Sequence, residues 1–347
     1  MTVKLSHVAE KAGVSIATAS LVFNDRPGVN KDTRERVLGA AAELGYLPNN
    51  VARSLALKSS STIGLVITDI ENPFFGSLTR YIDEYSHRKG YTLIISVSND
   101  EPAEENRIIE GFIGDRVAGV LVVPTQVTRS EFKIYEILRK RRIPCVFSTS
   151  YYPRATGEYV MTDLEAGSYR LTKYLLELGH RDISYLVSLD PEAPIRGLRL
   201  AGYRKAFEER GLEPNPDWTV QCHKPDFHSG YSEAKALLAT TKPDSIIAIN
   251  DIMALGARKA IRESGLAIPR DISIAGYDDL IYSSISDIPL TTVHQNVEEI
   301  ARLSVDMLVS RIEGAEPRDE HRLIGPELMV RESTGPVHSG ALPATGP

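Results

Sequence analysis

Cysteine is scarce. Cys145 and Cys222 are the only two in 347 residues. They lie far apart and outside any metal-ligand spacing, which excludes a disulfide scaffold or a zinc module and fits two structural thiols in a reducing compartment. No apolar run reaches the ~20 residues that a membrane-spanning helix needs. No apolar stretch of signal-peptide type follows Lys4, so a cytoplasmic location is expected. Catalytic signatures are missing as well: there is no G-x-S-x-G, no P-loop and no G-x-G-x-x-G, and the eight histidines are scattered. No enzyme activity, metal or cofactor is expected. The adjacent Asp278 and Asp279 read as a helix cap and its neighbour rather than as a catalytic pair.

Charge is missing from one place where it would be ordinary. The stretch Gly13 to Asn24, "GVSIATASLVFN", holds no ionisable side chain, in a chain that is 25% charged. Yet its surroundings are basic. Residues 1–60 carry eight cations and five anions, leaving +3 there and −9 over the rest of a chain of net charge −6. That asymmetry points to a small module for a polyanion joined to an acidic body.

Three short helices are predicted before residue 46. Leu5, Val8, Ala9 and Ala12 recur at helical spacing and stop at Gly13. The second helix opens on Ser15, whose hydroxyl can cap its first turn, and turns Ala19, Val22 and Phe23 inward. The third runs from Asn30 through Val37, Ala40, Ala41 and Leu44 to Gly45. The turn between the first two is short enough to force a steep crossing, which is helix-turn-helix geometry. A further short capped segment, 49–58, stands between Pro48 and a serine run; a helix this short is marginal on its own. From Thr62 the pattern becomes strand, helix, strand, in two series: Ile63–Ile67, Tyr91–Val97, Gly119–Val123 and Cys145–Phe147, then Ile183–Val187, Thr219–Cys222, Ser245–Ile249 and Ile272–Tyr277. Such alternation predicts parallel sheets in two similar lobes, with a ligand cleft at the carboxyl ends of the strands. The expected division is 1–48 headpiece, 49–61 hinge helix and linker, 62–335 two-lobed body and 336–347 disordered tail.

The run from "VAEKAGVSIATASLVFNDRPGVN" to "ARSLALKSSSTIGLVITDIENPFF", followed by "RLAGYRKAF", "AINDIMALGARKAI" and "SIAGYDDLIYSSISDIPLTTVHQN", resembles LacI-type transcription regulators over residues 3–335. The resemblance implies an all-α helix-turn-helix headpiece and hinge helix joined to a periplasmic-binding-protein-like α/β body. It implies a homodimeric repressor of palindromic double-stranded operator DNA, switched by a small polar effector, with a sugar or glycoside favoured. By position, Ile16, Ala17 and Leu21 take the base-reading places, and Ser15, Thr18, Ser20 and Asn24 fall on or near phosphates. Ala52, Arg53 and Leu55 belong to the hinge, with Leu55 the minor-groove wedge. Phe74, Thr149, Arg199, Phe227, Asn250, Asp278 and Gln295 match effector contacts.

Two departures from the family pattern stand out. The reading positions are apolar where polar or basic side chains are common. Thr149 stands where many sugar-responsive members carry aspartate, followed by Tyr151 and Tyr152, which could stack on a sugar. Other readings are an effector-independent or partner-regulated repressor and, less favoured, a sugar-binding protein without DNA function.

Overall fold

The computed structural model describes residues 3–23, 27–46, 60–127, 132–155, 157–188, 190, 193–316 and 321–337. Asn24, the hinge residues Ala52, Arg53 and Leu55, and the tail from 338 onward lie outside them. The chain divides into two compact units, Met1–Ser60 and Ser61–Pro347.

The first unit contains α1 (Leu5–Ala12), α2 (Ile16–Phe23) and α3 (Lys31–Leu44). Gly13 ends α1 in the left-handed region, φ 65°, with its amide on the carbonyls of Ala9 and Glu10. A glycine takes that conformation without steric penalty, which makes the tight reversal into α2 possible. Ser15 Oγ then accepts from the Thr18 amide at 3.0 Å, and Asn30 Oδ1 accepts from the Thr33 amide at 2.8 Å to start α3. The core consists of Val8, Ala9, Ala12, Ala19, Val22, Val37, Ala40 and Ala41. These side chains are small enough for three short helices to approach closely.

The second unit has two lobes, each built on one sheet. The first lobe carries β1 (Thr62–Ile67), α4 (Pro73–Arg88), β2 (Thr92–Val97), α5 (Pro102–Gly114), β3 (Gly119–Val122), α6 (Lys133–Lys140), β4 (Cys145–Ser148) and β5 (Glu158–Thr162). The chain then crosses into α7 (Leu164–Glu177), β6 (Ile183–Ser188), α8 (Pro194–Glu208), β7 (Thr219–Cys222), α9 (Phe227–Thr240), β8 (Ser245–Ala248), α10 (Asp251–Glu263), β9 (Ser273–Asp278), α11 (Ile281–Ile285) and β10 (Thr291–His294). It returns through α12 (Val297–Ile312) to β11 (His321–Ile324) in the first sheet, and ends with β12 (Glu327–Met329) in the second.

The sheet orders are β11-β5-β4-β3-β1-β2 and β12-β10-β9-β8-β6-β7. The first is wholly parallel. The second is parallel, as expected, with one added antiparallel pair at its edge, β12 on β10. Central strands such as β3, β8 and β9 are buried along their whole length because helices cover both faces.

Helices on one face of the second sheet touch backbone to backbone. Gly230 of α9 faces the Met253 carbonyl of α10, and Gly256 of α10 faces the Phe227 carbonyl of α9. A Cβ at either position would stand well inside the 3.0 Å that real Cβ atoms respect. This close approach fixes the two helix N-termini that present Phe227 and Asn250.

Candidate functional site

Two sets of candidate residues occupy separate units. In the headpiece, α2 divides cleanly. Ala19 and Val22 are buried and Phe23 is half-buried, edge-on to Tyr46 at 5.3 Å. Ile16 is 56% exposed and Leu21 38%, and Ala17 is exposed between them. Ser15 Oγ, besides capping the Thr18 amide, lies 2.9 Å from the Thr18 hydroxyl. Lys31, whose side chain is 86% exposed, stands at the start of α3. The Arg34 guanidinium donates to the Val22 carbonyl at 3.4 Å, tying α3 to the end of α2.

In the body, Phe74 is held by the N-cap of α4, where Asn72 Oδ1 accepts from the Phe74 amide at 3.0 Å. Thr149 follows β4 with φ 69°, an uncommon conformation for a β-branched residue. Both are buried and belong to the carboxyl-end loops of the first sheet. Among the described residues, no hydrogen bond or ring contact joins them to the second-lobe candidates.

Those candidates do converge. Gln295, on the segment that returns to the first lobe, donates from Nε2 to Asp278 Oδ1 at 2.6 Å. Arg199 on α8 is only 5% exposed, with its guanidinium carbon 4.2 Å from the Tyr277 ring centroid. Among the described residues, its Nε has no hydrogen-bond partner. A buried donor left unpaired is costly, so this arrangement fits a group reserved for a ligand acceptor. Asn250 is differently employed: Oδ1 caps the Met253 amide and Nδ2 donates to the Pro225 carbonyl, both at 2.8 Å. Those bonds fix the loop ahead of Phe227, which is half-buried at the start of α9.

Sequence reasoning missed Asp251. This buried carboxylate accepts from the Thr292 hydroxyl at 2.6 Å, the Ser283 hydroxyl at 2.6 Å and the Leu280 amide at 2.8 Å. It anchors the turn after Asp278, where Asp278 and Asp279 take φ values of 110° and 56°. The available signal was its place directly after Asn250 at the head of a helix. Asp279 is bound to His294 Nδ1 at 3.0 Å and to the Arg331 guanidinium, which clamps the turn after β9 to β10 and to the chain beyond β12.

The tyrosines after β4 are already engaged. The Tyr152 hydroxyl donates to the buried Glu105 carboxylate at 2.8 Å and lies 2.8 Å from the Thr125 amide, which donates to it. Tyr135 donates to the same carboxylate. Tyr151 stacks on Tyr159 at 4.7 Å, and Tyr159 on His321 at 4.2 Å. Tyr151 also lines a side cavity of 270 Å³ with Leu198 and Lys205. Tyr152→Phe is therefore expected to cost about 2 kcal/mol of body stability in urea unfolding while leaving ligand affinity alone. A changed affinity at unchanged stability would contradict this assignment.

Burial, reinforced by the nearby Asp251 carboxylate, pushes the Asp278 carboxyl up to about 8 against the opposing pull of Arg199 and Gln295. Burial likewise pushes Asp251 up to about 7. A carboxyl raised above its unfolded value of 3.8 keeps a proton in the folded state that the unfolded chain has released. Its contribution to stability is therefore full below about pH 4 and is lost as pH rises to about 8. Asp278→Asn should unfold at higher urea than the parent at pH 9, with the difference vanishing near pH 4. Equal midpoints at pH 9 would show that Asp278 ionises freely.

A headpiece with an exposed second helix, joined to a two-lobed body in which Arg199 lies buried over Tyr277 and Gln295 is bonded to Asp278, defines a helix-turn-helix regulator with a periplasmic-binding-protein-like body. Residues 4–49 match the lacI family of bacterial regulatory proteins, and 172–334 match the periplasmic binding protein-like domain. The HTH-type transcriptional repressor PurR of Histophilus somni is 33% identical over 333 residues, 95% of this chain and 98% of that one. The ribose operon repressor of Haemophilus influenzae is 31% identical over 332 residues, again 95% and 98%. A crystal structure of the Lac repressor dimer bound to operator and the anti-inducer ONPF has a TM-score of 0.85 at 28% identity, covering 96% of this chain and all of that one. The regulator CelR in complex with cellobiose gives 0.71 at 28% identity, with 95% and 99% covered. This chain belongs to the LacI family of DNA-binding transcriptional regulators. No helix among the described residues is long and apolar enough to cross a membrane.

Proposed function

We infer that the protein is a homodimeric repressor of a palindromic operator, switched by a small polar ligand held between its lobes, with a sugar or sugar derivative favoured. The observation that carries the switch is the buried Arg199 guanidinium, whose Nε lacks a partner among the described residues, near the Asp278–Gln295 pair. Phe74 and Phe227 supply aromatic surface, Thr149 a hydroxyl, and Asn250 the scaffold of the loop before Phe227. In the headpiece, Ile16, Ala17 and Leu21 face the bases, while Ser15, Thr18, Ser20 and Asn24 serve the phosphates. Ala52, Arg53 and Leu55 form the minor-groove element, with Leu55 as the wedge. Dimerisation is supported by apolar side chains that a monomer would leave in water: Ile94 and Ile95 on the edge strand β2, and Ile281 (64% exposed) with Ile285 (69%) on α11.

A second reading, a repressor without an effector, draws on Asn250, whose carbonyl and amide are both spent on structure, and on the absence of an acid at Thr149. The test has two stages. The full chain selects duplexes from a random pool, and a palindrome bound by two chains is expected; recovery of no preferred duplex defeats the regulator reading. A thermal-shift screen of sugars and other metabolites then precedes operator titration with each hit. A stabilising ligand that changes operator affinity supports the switch, and a screen without hits favours the second reading.

A further inference from the structure

The surface of α2 that faces away from the headpiece core has an unusual chemistry. At ~100° per residue, Ile16, Ser20, Ala17 and Leu21 fall in that order along an arc of about 140°, opposite the buried Ala19 and Val22. Nothing on α2 (IATASLVF) is a lysine, arginine, asparagine, glutamine or acid. Its first-turn hydroxyls, Ser15 and Thr18, are engaged with each other and with the helix backbone. The cations of the headpiece lie on other elements instead, Lys4 just ahead of α1 and Lys31 and Arg36 on α3. That division separates two tasks: the flanks meet phosphates, and the helix face meets something apolar.

We propose that α2 reads its half-site through the 5-methyl groups of thymine, with Ile16, Ala17 and Leu21 packed against them, and not through hydrogen bonds to guanine or adenine. The inference rests on the DNA-binding reading above and names which feature of the duplex this helix recognises. Guanine and adenine are selected in the major groove by bidentate side chains, arginine or lysine for the first and asparagine or glutamine for the second. This helix supplies none. The thymine methyl is the apolar group that the major-groove edge of a base pair offers. Ile16 and Leu21 lose exposed apolar surface only if something of that kind covers them. Ala17, between them, is short enough to let the helix approach the groove floor.

The test uses the full chain and the duplex it selects. Each thymidine of one half-site is replaced in turn by deoxyuridine, which removes the methyl and keeps the hydrogen-bonding edge. At two or more positions beneath α2, uridine should weaken binding about fourfold each, the expected loss for one buried methyl. Ile16→Ala and Leu21→Ala change exposed side chains, so the headpiece should fold. Each should abolish the thymidine–uridine difference at the position it covers and leave the other positions sensitive. The inference is overturned if every uridine duplex binds like its parent, or if the selected half-site demands guanine beneath α2. A selection that returns no preferred duplex overturns the regulator reading instead, and is a separate result.

Discussion

Arg199→Met is expected to make the protein more stable and far less responsive to its ligand. The guanidinium is 5% exposed, sits over the Tyr277 ring and leaves Nε without a partner among the described residues. Burying a charge with incomplete hydrogen bonding costs free energy that only a bound acceptor would offset. Methionine keeps the apolar stem against α8's neighbours and removes that cost, so thermal unfolding should move upward. A charge-assisted hydrogen bond is worth about 1.5–3 kcal/mol, so the ligand recovered by screening should bind roughly 10- to 150-fold more weakly. Operator affinity without ligand should be unchanged. Titration calorimetry beside a thermal melt checks both signs. A variant that binds ligand as well as the parent would remove Arg199 from the site. Loss of stability would show that its ring contact with Tyr277 outweighs its desolvation. The variant also loses the cation that opposes burial at Asp278, so the pH window over which stability falls should extend upward.

Gly256→Ala should have the larger effect on folding. The added Cβ would meet the Phe227 carbonyl and, at 2.8 Å, the Tyr231 amide nitrogen. These are backbone atoms of α9 and cannot rotate away like the end of a flexible side chain. The helices must separate, and the reciprocal contact of Gly230 with the Met253 carbonyl is then lost too. A cost of about 3 kcal/mol or more is expected, at the upper end for overpacking a tight interior. Urea unfolding of the full chain measures it. Because α9 and α10 carry Phe227 and Asn250 at their N-termini, ligand affinity should fall together with stability. Gly197→Ala is the control, since its Cβ meets nothing within 4 Å. An equally stable Gly256→Ala would mean that α9 and α10 slide apart freely.

Much of this architecture was legible in the sequence because it rests on short-range rules. The apolar periods of α1 to α3, the stop at Gly13 and the Ser15 cap need only neighbouring residues. The central strands of both sheets likewise announce themselves as compact apolar runs, since those are buried on two faces. The strands at the lobe junction were harder to read. β5, β10, β11 and β12 are three to five residues long, and β11 pairs with β5 across the whole intervening second lobe. Their pairing, including the antiparallel β12, is decided by where the chain crosses between lobes.

The candidate site shows the same division. The family resemblance singled out Arg199, Asp278 and Gln295, while the helical period of α2 by itself left Ile16, Ala17 and Leu21 outside the buried stripe. Which polar groups are already spent was settled by the tertiary structure. Asn250 is held by Met253 and Pro225, Tyr152 by Glu105 and Thr125, and Asp279 by His294 and Arg331. Asp251, beside a residue the sequence did single out, became visible only through its three donors from the 280–292 stretch. Local periodicity records which way a side chain faces, because it follows from helix and strand geometry. Whether a buried polar atom is satisfied depends on residues tens to hundreds of positions away, and only the folded chain brings those together.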